Sequence, residues 1–120
     1  MKLPYSPTLA LVDSHVGISK IYVLKNPFTE DVFYVGQTMQ ELNLRLAGHI
    51  AETGANRDKI HYIKNIIANG EKPIIQAIEV IPTKCYIDKM LVNEREYYWI
   101  KFYKTKGCNL LNKRGIEGGA

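Results

Sequence analysis

The sequence predicts an α+β domain: one small three-stranded antiparallel sheet flanked by about three helices, in the order β-β-α-α-β-α. Three observations carry this reading. Two β-branched and aromatic runs of strand length, Lys20–Lys25 and Val32–Gly36, flank a connector rich in turn formers, Asn26-Pro-Phe-Thr-Glu-Asp31. Apolar residues then recur at helical spacing through residues 39–67, and again in a long stretch after residue 83. Between the helical stretches stands one apolar run of strand length, Pro73–Ile81.

Taken in order, residues 1–19 hold two prolines and no sustained period, and read as an N-terminal arm. The hairpin follows, and Gly36 closes its second strand. Thr38 and Glu41 match the Ser/Thr-x-x-Glu capping box, so a helix is expected to start near residue 39. Met39, Leu42, Leu46 and Ile50 form its inward stripe. Thr53-Gly-Ala-Asn56 breaks that helix. The next one turns Ile60, Ile63 and Ile67 inward and stops at Asn69-Gly70. Pro73 is tolerated at the first position of the third strand. A long helix is expected from Thr83 to about Lys104, with Gly107 as its stop. The domain proper then spans residues 20–112, and residues 113–120 form a basic, glycine-rich tail.

A chain of 120 residues and 13.7 kDa is one domain's worth. With 46% apolar and 23% charged residues, a disordered or fibrous chain is excluded. No apolar run approaches the roughly 18 residues of a membrane span, and the N-terminal residues lack the apolar core of a signal peptide. A cytoplasmic or nucleoid-associated protein with no membrane contact is expected. Cys85 and Cys108 are expected as buried, reduced thiols, and without histidines at ligand spacing they make no zinc site. The net charge of +4 is unevenly placed: residues 1–96 hold 11 Lys/Arg against 11 Asp/Glu. Residues 97–120 carry Lys101, Lys104, Lys106, Lys113 and Arg114 against Glu117 alone. A basic end on a neutral body suits a polyanion such as nucleic acid, and on charge alone it equally suits a solvated face.

Taken singly, the polar candidates have ordinary explanations. Tyr22 and Tyr34 are common strand fillers. Glu94 and Glu96 point to nearly opposite sides of the last helix. Glu94 falls on the stripe of Ile87, Leu91, Tyr98 and Phe102, and Glu96 on that of Val92, Trp99, Ile100 and Tyr103. Both stripes are partly apolar, so helical geometry leaves the choice open. Arg45 and His49 are different. Four apart, they share a helix face at the margin of an apolar stripe, where a desolvated cation needs a partner.

In combination these residues are more specific. Ile21-Tyr22-Val23, then Tyr34-Val35-Gly36, then Arg45-x-x-x-His49, then Glu96-Tyr-Tyr-Trp-Ile100 and a following asparagine resemble the GIY-YIG nuclease family. The details resemble its phage-type and homing-endonuclease members, and the likeness runs from about Lys20 to Asn112. It implies a metal-dependent DNA endonuclease whose catalytic residues are Tyr22, Tyr34, Arg45, His49 and Glu96. Glu96 would hold one Mg²⁺ or Mn²⁺, and its place three residues before Trp99 favours it over Glu94. Tyr22 is favoured as the base, and Gly36 is the glycine where a side chain would crowd the substrate. The site asparagine has two claimants, Asn109 and Asn112. Lys20 replaces the glycine of the first motif, and Gln37 stands where several members carry a lysine, so Gln37 receives no catalytic role.

The chemistry supports the same set. Cutting a phosphodiester needs an attacking water, a group to take its proton, and cations for the charge growing on phosphate. One carboxylate suits a single hard cation that keeps most of its waters. Arg45 offers a planar fork to the non-bridging oxygens. Lys104, Lys106 and Lys113 are the expected phosphate contacts of the basic end. The partner implied is DNA. No separate reader module is present in the sequence, so dimerisation on the target, a separate DNA-recognition partner, a truncated catalytic domain or weak specificity are the expectations. The alternative reading is a non-cutting nucleic-acid-binding module on the same scaffold; a structural domain without ligand is a third.

Overall fold

An uninterrupted run such as Ile21-Tyr22-Val23-Leu24 is satisfied only where both faces of a strand are covered. The computed structural model, which describes residues 17–112, places it there. Strand β1 (Gly17–Lys25) is the centre of a three-stranded antiparallel sheet, between β2 (Val32–Thr38) and β3 (Ile74–Thr83). Helices α1 (Leu42–Ala51) and α2 (Arg57–Ala68) separate β2 from β3, and α3 (Tyr86–Thr105) follows. The order is β-β-α-α-β-α, the α+β arrangement expected. Among the described residues no helix is long and apolar enough to cross a membrane.

The alternation of β1 divides the core in two. Ile21 and Val23 point to one face, where Val35, Ile81, Leu110 and the α3 residues Val92 and Ile100 meet them. Tyr22 and Leu24 point to the other, with Phe33, the α2 residues Ile63 and Ile66, and the α1 residues Leu42, Leu46 and Ile50. Two register irregularities shape this second face. On β2, Lys25 pairs with Val32 and Leu24 with Tyr34, so Phe33 is an extra residue and both aromatics pack on the α1–α2 side. On β3, Ile21 pairs with Glu79 and Tyr22 with Ala77, so the second shift falls beside Tyr22.

Several boundaries differ from the expected ones, for one reason: the strands hold on longer than their apolar residues do. β1 opens at Gly17, ahead of Lys20, because Gly17 pairs with Thr83 and accepts that hydroxyl's hydrogen bond at 3.1 Å. Thr38 does not cap α1. It is still paired with Lys20, and its Oγ1 accepts from the Gln40 amide at 2.9 Å, so the helix starts at Leu42 and Met39 lies outside it, exposed. Thr83 is likewise the last residue of β3, and α3 begins at Tyr86, where Asp88 accepts from the Lys84 amide at 2.8 Å. The edge position of β3 accommodates Pro82 within the strand. On α2 the inward residues are Lys59, Ile63 and Ile66, whereas Ile67 is exposed. The cysteines are free but not buried: Cys85 is exposed and Cys108 half-buried, because Cys85 stands at the open N-terminus of α3.

After Gly107 turns the chain in a left-handed conformation (φ 94°), residues 110–112 run along the outer edge of β2. The Leu111 amide donates to the Phe33 carbonyl at 2.7 Å. Asn112 meets Val35 twice: its Oδ1 accepts from the Val35 amide at 3.0 Å and its Nδ2 donates to the Val35 carbonyl at 2.6 Å. The side chain thus imitates a neighbouring strand and satisfies an edge that would otherwise be open. Asn112→Ala strips both bonds from a buried strand and is expected to cost about 1–3 kcal/mol, read as a lower urea midpoint at unchanged slope.

Candidate active site

The site begins with the cross-strand pair Tyr22 and Gly36. Directly opposed residues share a face, and a Cβ on Gly36 would stand 2.5 Å from Tyr22 Oη. The tyrosine therefore lies across the glycine, in the room that a side chain there would take. Its hydroxyl meets two side chains from α1. Arg45 Nε donates to it at 3.1 Å, and His49 Nε2 lies 2.6 Å away. Spacing by four along α1 puts both groups over the same point. Tyr34 completes the cluster, its ring centroid 5.1 Å from that of His49 and 6.4 Å from that of Tyr22.

Behind His49 stands Lys59. Its Nζ is 2.9 Å from His49 Nδ1 and donates to Glu52 Oε1 at 2.6 Å, and it sits 4.7 Å from the Tyr34 ring centre. Tyr22, His49 and Lys59 are 0%, 1% and 3% exposed, so this is a buried polar chain and not a surface cluster. The Arg45 side chain makes no other hydrogen bond among the described residues, which leaves its Nη donors unengaged.

Gln37, the next residue on β2, turns to the opposite face, toward α3. Its Nε2 donates to Glu96 Oε1 at 2.8 Å and to Asn93 Oδ1 at 2.7 Å, and its Oε1 accepts from Lys89 Nζ. Glu96 is half-buried and fixed against the strand edge, whereas Glu94 is exposed. The stripe of Ile87, Leu91 and Tyr98 that Glu94 shares faces outward, and the stripe of Val92, Trp99 and Ile100 packs on the sheet. Docking of α3 thus turns the stripe of Glu96 toward the sheet and that of Glu94 outward. Among the described residues no three His, Cys, Asp or Glu side chains gather as a metal-binding group.

Burial governs the electrostatics. It raises the Tyr22 phenol well above its usual range; neighbouring Tyr34 adds to this and Arg45 opposes it. Tyr34 is raised too, by burial and then by the charge of Glu96. Burial, then Lys59 and Arg45, bring His49 down to about 3, which keeps the imidazole neutral. Glu96 is raised by burial, against the Gln37 hydrogen bond and the charge of Lys89. The Glu96 charge is also felt by Tyr22, which ties the two sides of the strand edge together.

A family model of the GIY-YIG catalytic domain matches residues 19–110. The chain belongs to the GIY-YIG family. A search of curated proteins and a search of solved structures each returned no significant match. In this GIY-YIG domain the structure gathers Tyr22, Tyr34, Gly36, Arg45 and His49 on one side of the β2 edge, with Glu96 across it. Asn112 is tied to Val35, between Tyr34 and Gly36, whereas Asn109 is exposed beside Lys106 at the other end of β2. Lys104 and Lys106 are exposed, more than two helical turns beyond Glu96, and are not brought to the cluster. Lys113 lies outside the described residues.

Three polar residues of the cluster escape a reading of sequence alone. Gln37 was given no part and proves to hold Glu96. Lys89 and Lys59 lie on helices where lysine is ordinarily solvated. A signal for Lys59 existed in its spacing of four and seven from Ile63 and Ile66, which places it on their face of α2.

The His49 shift has a definite sign. Its folded value, about 3, lies below the ordinary 6.5, so between these limits the unfolded chain binds more protons and stability falls as pH falls. Urea midpoints measured across that window should decline steadily toward acid, and His49→Gln should flatten the decline. An equally steep decline in His49→Gln would assign it to other groups.

Proposed function

We propose that this GIY-YIG domain is a metal-dependent DNA endonuclease that hydrolyses phosphodiester bonds with Tyr22, Tyr34, Arg45, His49 and Glu96. One observation carries the reading: the Tyr22 hydroxyl meets Arg45 and His49, 23 and 27 residues away, at the strand edge where Gln37 holds Glu96. A structural domain has little use for such an arrangement, because each buried polar group costs desolvation.

The residues divide the work by their chemistry. The unengaged Nη donors of Arg45 suit the non-bridging oxygens of a phosphate, where charge develops during attack. Tyr22 takes a proton from the attacking water only as phenolate, the form that Arg45 favours and burial opposes. Tyr34 closes the same wall and presents a second phenol. Glu96 fits a hard divalent ion, Mg²⁺ or Mn²⁺: it is a half-buried carboxylate with one oxygen bonded to Gln37, suited to a cation that keeps most of its waters. Bound there, the ion would stabilise the leaving 3′ oxygen and cancel the carboxylate charge that opposes Tyr22 ionisation. Asn112 positions the strand that carries Tyr34 and Gly36. Lys104 and Lys106 extend the phosphate contacts away from the centre.

Supercoiled plasmid tests this. Wild-type protein should nick it with Mg²⁺ or Mn²⁺ and stop when the ion is chelated. Glu96→Gln should bind DNA in a gel shift without cutting, and Glu94→Gln should cut near the wild-type rate. Arg45→Ala should slow cutting by about 10²–10³. Full activity in excess chelator overturns the metal assignment, and a gel shift with no cutting by the wild-type selects the binding-module reading.

The same residues predict salt dependence. If phosphate contacts carry binding, affinity should fall steeply with rising salt, and Lys104→Glu with Lys106→Glu should lower both affinity and the salt slope. An unchanged slope would make the basic end a solvated surface only.

A further inference from the structure

The chain of Tyr22, His49, Lys59 and Glu52 fixes which ring nitrogen of His49 carries the proton. A lysine ammonium donates three hydrogen bonds and accepts none. Lys59 Nζ stands 2.9 Å from His49 Nδ1, so that nitrogen has to present its lone pair. The Nδ1–H tautomer and the imidazolium would each set an N–H against an N–H at that distance. Of the three forms of the ring, the Nε2–H tautomer alone fits. Nε2, 2.6 Å from Tyr22 Oη, is then a donor toward the phenol oxygen.

We propose that Lys59 is a positioning residue that locks His49 as a hydrogen-bond donor, so that Tyr22 Oη accepts from both Arg45 and His49. This rests on the endonuclease reading and refines it: His49 does not take the Tyr22 proton, because it has no lone pair facing that oxygen. Its part is the same as that of Arg45, to stabilise negative charge on Tyr22 Oη once the phenol has given its proton to solvent water. Glu52 pairs with Lys59 at 2.6 Å and offsets the cost of burying the ammonium. The position of Lys59 argues for this use. It is 3% exposed, on the first turn of a helix with open solvent on its other faces, where a lysine free to choose would be solvated. The depressed basicity of His49, set first by burial and then by Lys59, agrees with a ring nitrogen facing a cation.

The tautomer is read directly by long-range ¹H–¹⁵N correlation of histidine-labelled protein without DNA or metal, with His49 assigned by loss of its signals in His49→Gln. The expected pattern is a bare-nitrogen shift at Nδ1 and a protonated shift at Nε2. Lys59→Met keeps most of the unbranched side chain and removes the donor, and should shift or mix the tautomer. Lys59→Arg restores a donor-only group and should restore the wild-type pattern. On plasmid with Mg²⁺, Lys59→Met should cut about 10–100-fold more slowly at unchanged gel-shift affinity, the usual loss for a group that orients a site residue from behind. A wild-type Nδ1–H tautomer, or an unchanged pattern in folded Lys59→Met, overturns the proposal. If Lys59→Met does not fold, the wild-type spectrum still decides the tautomer. Because that spectrum needs no DNA, a wild-type protein that fails to cut would sink the nuclease reading and leave this measurement standing.

Discussion

Tyr22 occupies its position because the residue paired with it has no side chain. In an antiparallel ladder the opposed residues share a face, so any β-carbon at Gly36 would meet the phenol at 2.5 Å. With glycine there, the ring lies across the outer strand and carries its hydroxyl to the edge of the sheet. The rest follows from that placement. α1 crosses the same face and delivers Arg45 and His49 one turn apart to the hydroxyl. The extra residue at Phe33 keeps Tyr34 on the same side as Tyr22. The next residue of the strand, Gln37, points the other way and reaches Glu96 on α3. A glycine and a glutamine in succession thus let one strand edge hold two half-sites on its two faces.

The edge itself needs protection. β2 is the outer strand, and an open row of amides and carbonyls would invite pairing with another chain. Residues 110–112 close it, with Asn112 taking both backbone groups of Val35. This fixes the stretch that carries Tyr34 and Gly36 without a fourth strand.

Charge is distributed in the same economical way. Each buried or half-buried cation near the cluster has a named counterpart: Lys59 with Glu52, Lys89 with Gln37, Arg45 with the Tyr22 oxygen. In a low-dielectric interior, satisfied networks of this kind rigidify a site and unsatisfied ones destabilise it. The neutral state of His49 belongs to this balance, since a third positive charge between Lys59 and Arg45 would have no acid facing it closely enough: Glu52 Oε1 is 3.8 Å from Nδ1 and already bound to Lys59.

The sequence by itself determined the element order, because hydrophobic period and turn residues are local properties of the chain. It also marked Tyr22, Tyr34, Gly36, Arg45, His49 and Glu96 as a set worth placing together, through the family resemblance that their order carries. Tertiary structure decided what depends on partners distant in sequence. Thr38 looked like a helix cap and became the end of β2, because Lys20 across the sheet claimed it first. Glu94 and Glu96 were equivalent on a helix that is apolar on both sides, until packing of Val92 and Ile100 against the sheet turned one inward. Asn109 and Asn112 were separated by a contact with Val35, 77 positions away from Asn112. Lys59 had no local reason to be buried. Its place was set by an acid seven residues back and a histidine ten residues back on the preceding helix, and only the packing of α2 beside α1 brought the three together.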